Sequence, residues 1–375
     1  MGQDVAILGA GIGGMAAAVA LAQGGARVRV IEQAPALTEV GAGLQISPNG
    51  MVVLERLGVT SEGAVQSEGT ELRDGRAGRL VLRLGPPAAG PTWYFHRADL
   101  LAQLASRAQA LGVTVELGRQ AVAVDAEAGQ VTFADGSSET AQVFIGADGA
   151  RGVSRGAING AARPRFTGQV AWRALVPGQG EQAVAQLWMG PGRHVVIYPL
   201  RGGALLNIVA VEERRDWTEE SWRREGDPDE LRARFAGFGG VVRSALARVE
   251  TAHLWALHLH PVAERWYRGR AALLGDAAHP TLPFLAQGAC LALEDAWTLA
   301  ACLGNGSGFA RYEALRKDRA KAVVAEAGRN AWRFHLRAPM RQVAQLVLRL
   351  GGARVAPDFA WVHGYDVTEA AQSFP

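Results

Sequence analysis

The stretch that most restricts the fold of this chain is Gly9-Ala10-Gly11-Ile12-Gly13-Gly14. It follows the apolar run DVAILG (4–9) and opens an Ala-rich segment that closes at Gly24-Gly25. A second strand-like run, RVRVIE (27–32), comes next. Short apolar runs bounded by glycine predict buried strands, and the segment between them predicts a helix. Together they make a βαβ unit. In it, the Gly9-x-Gly11-x-x-Gly14 turn brings the backbone close to a pyrophosphate at a helix N-terminus. Glu32 ends the second strand 18 residues past Gly14, where a carboxylate accepts from ribose hydroxyls. This context favours a bound dinucleotide over a glycine-rich helix start with no ligand, but it does not separate FAD from NAD. Gly304-x-Gly306-x-Gly308 follows a helix-like segment, not a strand. Any second dinucleotide therefore binds without a Rossmann unit of its own.

The length of 375 residues predicts two lobes. NGMVVLERLG suits a helix (49–57) stopped by Gly58, 70–95 suits a β-hairpin, and 96–112 suits an amphipathic helix. The runs VTVEL, AVAVDA, QVTFA and VFIGADGA then read as strands. From 166 to 260, regularly spaced strands with turns between them predict a mostly antiparallel sheet, interrupted by a helix near 228–237. After 268 the chain returns to alternating strand and helix, and long Arg-rich helices run from 309 to about 350. The expected class is α/β (α+β): a Rossmann-type domain with an inserted, mostly antiparallel sheet domain and C-terminal helices. The expected boundaries are 1–70, 96–165 and 268–330 for the first domain, 71–95 and 166–267 for the second, and 331–375 for the C-terminal segment.

Apolar residues make up 49% of the chain and the net charge is +3, with no run of like charges, so nucleic acid is not an expected partner. Cys290 and Cys302 share one apolar stretch and suit core packing, and no metal-ligand spacing is present. No apolar run reaches membrane-span length. The N-terminus enters a strand-like run within four residues, so no signal peptide is expected, and the reading is cytoplasmic.

Two further motifs carry chemistry. In GADGARGVSR (146–155), Asp148 ends a strand, and Ser154 and Arg155 are placed to start a helix; a plain Asp-Gly turn explains the same residues equally well. In LLGDAAHPTLPFLAQGACLALEDA (273–296), Asp276 ends a strand and Pro280 and Pro283 stiffen the turn. Gln287-Gly288 then opens a helix whose unpaired N–H groups favour negative charge.

GAGIGG with Glu32, GADG and LLGDAAHP, in that order, resemble the three signatures of the para-hydroxybenzoate-hydroxylase-like FAD monooxygenases, over nearly the whole chain. VGAGLQISPNG (40–50), HRADL (96–100), PFLAQGACLALEDA (283–296) and WVHGYD (361–366) are most similar to the salicylate hydroxylase and 3-hydroxybenzoate 6-hydroxylase branch. Ala286 stands where many members have Gly. The resemblance implies tightly but non-covalently bound FAD. Gly9, Gly11 and Gly14 would lie at its pyrophosphate, and Glu32 with the neighbouring Gln33 at its adenosine ribose. Val122 would lie by the adenine, and Gln45 and Arg97 would contact the cofactor. Asp148 would belong to the segment linked to FAD and NAD(P)H, and Asp276 would hold the ribityl side. Gly288 and Ala289 would offer N–H groups to the flavin pyrimidine edge, and Pro283 and Phe284, with Gln45, would line the flavin and substrate pocket.

The reaction so implied uses NADH or NADPH to reduce FAD. O2 then adds, and a flavin hydroperoxide hydroxylates a small aromatic acid. Such a site needs a group that deprotonates a phenol, and His is the usual choice. His194 is the candidate, with Tyr198 four residues on and so on the same strand face; a satisfied edge-strand histidine is the alternative. His279 is expected to brace the flavin loop and His96 to be structural. His258 and His260, expected to share one strand face, lack a third metal ligand. The implied protein is a monomer or homodimer. Competing readings are a tailoring hydroxylase or epoxidase for a larger non-acid scaffold, an NAD-dependent dehydrogenase, and a non-catalytic flavin sensor.

Overall fold

The computed structural model describes residues 2–37, 43–161, 163–214 and 224–372; residues 40–42 of the VGAGLQISPNG segment lie outside these. The N-terminal βαβ unit forms as its sequence requires. Asp4–Leu8 pairs in parallel with Arg27–Ile31 on one side and with Val143–Gly146 on the other. Both edges extend in parallel, through Thr114–Glu116 and Ala271–Leu273, and Tyr267–Arg268 closes one end antiparallel. Strands buried on both faces read as continuous apolar runs, as VAIL after Asp4 and VFIG do. The helix Ile12–Gln23 is buried nearly all round. Its small side chains let it lie against the helix Gly288–Gly304. A Cβ on Gly13 would stand 2.7 Å from Leu274 Cδ2 and 3.0 Å from Ala292 Cβ.

The second layer is an eight-stranded sheet in the order Glu225–Gly226, Ala252–Leu259, Arg165–Pro177, Leu205–Glu213, Arg193–Leu200, Val184–Gly190, Gly69–Asp74, Leu80–Leu84. Pairing is antiparallel except between Val184–Gly190 and Gly69–Asp74. Period-2 alternation divides its residues between two faces. On one face Trp172, Trp188, Val195 and Ile197 pack with Leu231, Phe235 and Val242. That cover comes from two helices, Pro228–Arg234 and Gly240–Ala247, where the sequence suggested one; Gly239 caps the second. On the other face Ala171, Val211, Trp255 and Leu257 pack with Leu282 and Phe284, which follow the LLGDAAHP segment. The sheet therefore roofs the loop that follows Ala271–Leu273.

Smaller sheets complete the frame. Gly43–Ile46, Trp93–His96 and Val65–Gln66 form one, and Ala121–Asp125, Gln130–Phe133 and Ser138–Thr140 form another. The Arg-rich region is two helices, Gly308–Arg333 and Met340–Gly351. Cys290 and Cys302 are buried free thiols on one helix. Among the described residues no helix is long and apolar enough to cross a membrane.

Candidate active site

The first glycine turn is fixed by packing as well as by conformation. Gly9 has φ +100°, and a Cβ there would meet Ala147 O at 2.4 Å. A Cβ on Gly14 would stand 2.0 Å from Gly9 O, whereas Gly11 faces open space with no heavy atom within 4 Å. A concavity above a helix N-terminus is what an anionic diphosphate needs. Glu32 lies just past its strand. Its carboxylate accepts from the N–H groups of Ala10 and Ala34, each at 2.8 Å, which holds it at the mouth of the turn with lone pairs left for hydroxyls. Gln33 is exposed beside it. Val122 is 48% exposed on the small sheet of Ala121–Asp125.

Asp148 is more than a turn residue. Its Oδ2 accepts from the N–H and Oγ of Ser154, both at 3.0 Å, while Oδ1 is buried without a protein partner. Burial raises its carboxyl above the usual range. A Cβ on Gly152 would sit 2.0 Å from the Asp148 Cγ, so this turn closes only over glycine. The buried Arg155 donates to Ala277 O at 2.8 Å and to Ala278 O at 3.2 Å, tying the GADG turn to the LLGDAAHP turn.

Asp276 opens onto the crevice between these turns and is accessible there. The protein packed behind it raises its carboxyl, and the charges of His279, Arg97 and His260 oppose that rise. His279 braces the loop: its Nε2 bonds Asp295 Oδ2 at 2.5 Å, and Asp295 Oδ1 accepts from Arg316 Nε at 2.8 Å. Arg316 also meets Glu294 at 2.6 Å. Asn49 Nδ2 donates to Glu294 at 2.6 Å and to Gln287 Oε1 at 3.0 Å, and Gln287 Nε2 donates to Ser47 Oγ at 2.8 Å. This buried chain fixes the start of the Gly288–Gly304 helix. The half-buried Gly288 and Ala289 belong to its first turn, whose N–H groups have no intrahelical partner. Pro283 is exposed and Phe284 buried in the turn Pro283–Leu285, and Gln45 is half-buried on Gly43–Ile46. The open space over Gly11, the orphaned Asp148 Oδ1 and the accessible Asp276 together fit FAD.

Ala286 has φ 52° and ψ 34°, a left-handed conformation that costs a non-glycine residue roughly 1 kcal/mol. Ala286→Gly is therefore expected to raise unfolding stability by up to ~1 kcal/mol in chemical denaturation. An unchanged or lower midpoint would mean that the loop holds Ala286 without strain.

His194 and Tyr198 lie on the sheet face that looks toward this crevice, about 13 Å apart along the strand. His194 is 1% exposed, with Phe284 and Phe334 at ring-centroid distances of 5.4 and 5.3 Å. Its Nδ1 lies 2.8 Å from His335 Nε2, which leaves Nε2 for a ligand. Burial, then the neighbouring His335, holds its pKa well below the ordinary value. Tyr198 stacks near Tyr94 at 4.9 Å, and a Cβ on Gly43 would stand 2.6 Å from the Tyr198 ring. Burial raises the Tyr198 phenol, against the charge of Arg173. His258 and His260 do not share a face as a pair. The strand ends at Leu259, His258 packs on Phe166 at 5.5 Å, and His260 is buried where its charge reaches Asp276. Among the described residues no cluster suits a metal.

Two residues at this face escaped the sequence reading. Arg173 pairs across from Val209, in the row between His194 and Tyr198, with its guanidinium 4.2 Å over the Trp255 ring. Its position in an alternating strand was a usable signal. His335, 141 residues from its partner His194, gave none.

The family described as "FAD binding domain" matches residues 3–327. The chain is 34% identical to a 3-amino-4-hydroxybenzoate 2-monooxygenase of Streptomyces platensis, over 96% of each chain. It is 33% identical to a 3-hydroxybenzoate 6-hydroxylase of Polaromonas naphthalenivorans (strain CJ2), over 97% of this chain and 96% of that one. A salicylate hydroxylase solved as a substrate complex superposes with a TM-score of 0.82 at 29% identity, covering 99% of this chain and 97% of the other. The glycine turn, the Asp148 and Asp276 turns and these matches across almost the full length agree: the chain belongs to the FAD-binding-domain family.

Proposed function

We propose that this FAD-dependent monooxygenase hydroxylates a small aromatic acid of hydroxybenzoate or salicylate type, with NADH or NADPH as reductant and O2 as oxidant. The observation that carries the reading is His194: a buried imidazole at the crevice, packed edge-on to Phe284, with one nitrogen committed and one left over. FAD, when bound, supplies the redox chemistry, and the protein supplies position, dryness and proton handling. In this reading His194 Nε2 takes the proton of the substrate hydroxyl and makes the ring electron-rich. Arg173 offers positive charge to the acid group, and Tyr198 closes the same face. Pro283 and Phe284 keep water from the ring. Gly288 and Ala289 turn a positive helix end toward charge that develops on the cofactor. The division of the chain at 71–95, 166–267 and 331–375 belongs to the same proposal, as does a monomeric or homodimeric state in the cytoplasm.

The substrate names of the relatives support the aromatic-acid class, since two act on hydroxybenzoates. The test is a panel of hydroxybenzoates, aminohydroxybenzoates and salicylate, scored by stimulated NADH and NADPH oxidation together with product mass. One oxygen atom added to a panel member is expected. Stimulation by non-acid phenols alone would overturn the reading.

A further inference from the structure

We propose that His335 is a proton relay, passing the proton that His194 takes from the substrate to Glu213 and the open cleft outside. The inference rests on the reading of His194 above, and four observations support it. First, His194 Nδ1 and His335 Nε2 are 2.8 Å apart, while both residues are buried, at 1% and 5% exposure. Second, the other nitrogen of His335, Nδ1, faces Glu213 Oε1 at 3.4 Å, and Glu213 reaches solvent with 41% of its side chain exposed. Third, a cleft of about 500 Å³ is lined by His335, Glu213, Gln169, Arg165, Arg337 and Met340, and not by His194. The line from the crevice to the surface therefore passes through His335. Fourth, Phe284 and Phe334 flank His194, so His335 is its one polar outlet among the described hydrogen bonds.

The step balances. Before transfer His194 carries its proton on Nδ1 and donates it to His335 Nε2, and His335 carries its proton on Nδ1, toward Glu213. The substrate proton moves to His194 Nε2, the Nδ1 proton to His335 Nε2, and the His335 Nδ1 proton to the Glu213 carboxylate. One proton has left the phenol, one has reached Glu213, and both rings stay neutral with their tautomers exchanged. The reverse sequence reprotonates the product and resets the pair. Gln169 Nε2 faces His335 Nδ1 at 3.2 Å, and a half turn of its amide serves either tautomer.

The charges around His335 agree with transfer rather than storage. Burial brings its pKa down to about 4, the repulsion of Arg337 and Arg193 works in the same direction, and Glu213 opposes them. With the His194 pKa also lowered by burial, neither ring retains a second proton, so a proton entering at the substrate must leave at the far end. Arg337, 2.6 Å from Glu213, holds the outlet in place.

The test compares the wild-type holoenzyme with His335→Ala, Glu213→Gln and His194→Ala. Proton release to an indicator dye is followed in weak buffer on mixing with 3-hydroxybenzoate, and flavin reduction by NADH is measured apart. The expected result for His335→Ala is proton release slowed roughly a hundredfold. Flavin reduction is retained, and added imidazole, which the cleft admits, restores the rate. Glu213→Gln slows release less. If His194→Ala slows release and His335→Ala does not, the relay is wrong and the role of His194 survives. If neither slows it, both fail. A ligand-free arm keeps the test decisive where 3-hydroxybenzoate does not bind. Ring-nitrogen NMR of the full chain is expected to show His194 and His335 sharing one proton, and two rings that titrate independently overturn the relay.

Discussion

Asp276→Ala is expected to purify largely colourless, with affinity for FAD lowered by two or more orders of magnitude. The carboxylate stands not at a strand end, as the sequence suggested, but in the one-turn helix Gly275–Ala277 just past the buried strand Ala271–Leu273, accessible to the crevice and surrounded behind by protein. Hydrogen bonds from hydroxyls to an ionised group contribute about 1.5–3 kcal/mol each, so losing two costs roughly 3–6 kcal/mol. The loop itself should survive. His279, Asp295 and Arg155 hold it without the Asp276 side chain, since Arg155 bonds the carbonyls of Ala277 and Ala278, and His279 bonds Asp295. Asp276→Asn keeps the shape and removes the charge, so an intermediate loss is expected there. The measurement is the flavin absorbance ratio of purified protein, followed by titration of the apoprotein with FAD. A fully yellow Asp276→Ala protein with wild-type affinity would remove Asp276 from the cofactor site.

What was legible in the sequence was what the backbone itself demands. Gly9, Gly14 and Gly152 stand where a single Cβ would strike backbone or a carboxylate at 2.0–2.4 Å, and such positions leave a one-residue signature. The burial of Val5–Leu8 and of VFIG likewise follows from runs with no polar member. What was not legible depends on chain segments that meet only after folding. The polar chain from Ser47 and Asn49 through Gln287 to Glu294 spans more than 230 residues, and no spacing announces it. The same holds for His194 and His335. The second cover helix, Gly240–Ala247, was hidden because Gly239-Gly240 reads as a break, although here it starts a helix. His258 and His260 looked paired because they alternate; the strand ends between them, and they face different surroundings. Periodicity reports faces only as long as the element lasts.

His194→Ala is expected to leave flavin reduction by NADH intact while hydroxylation slows by about 10²–10⁴-fold, or while the electrons are lost to hydrogen peroxide. The split follows from where the imidazole lies. It packs against Phe284 and Phe334 on the sheet face and is not among the groups set against the Gly9 turn, Asp148 or Asp276, so the cofactor's own contacts do not change. The loss falls on ring activation, because a neutral phenol is a far weaker nucleophile than its phenolate. Removing the ring also leaves a gap between two aromatic side chains, so a stability loss is expected beside the kinetic one. His194→Gln separates the two effects: it refills the space and keeps a hydrogen-bonding group toward His335, but it offers no basic nitrogen. If His194→Gln restores stability and leaves hydroxylation slow, the defect is chemical. The coupling ratio, product formed per NADH consumed, is the readout. A wild-type ratio and rate in His194→Ala would mean that the residue is only a packed edge of the sheet, and the phenol proton would then have to leave by a group other than this imidazole.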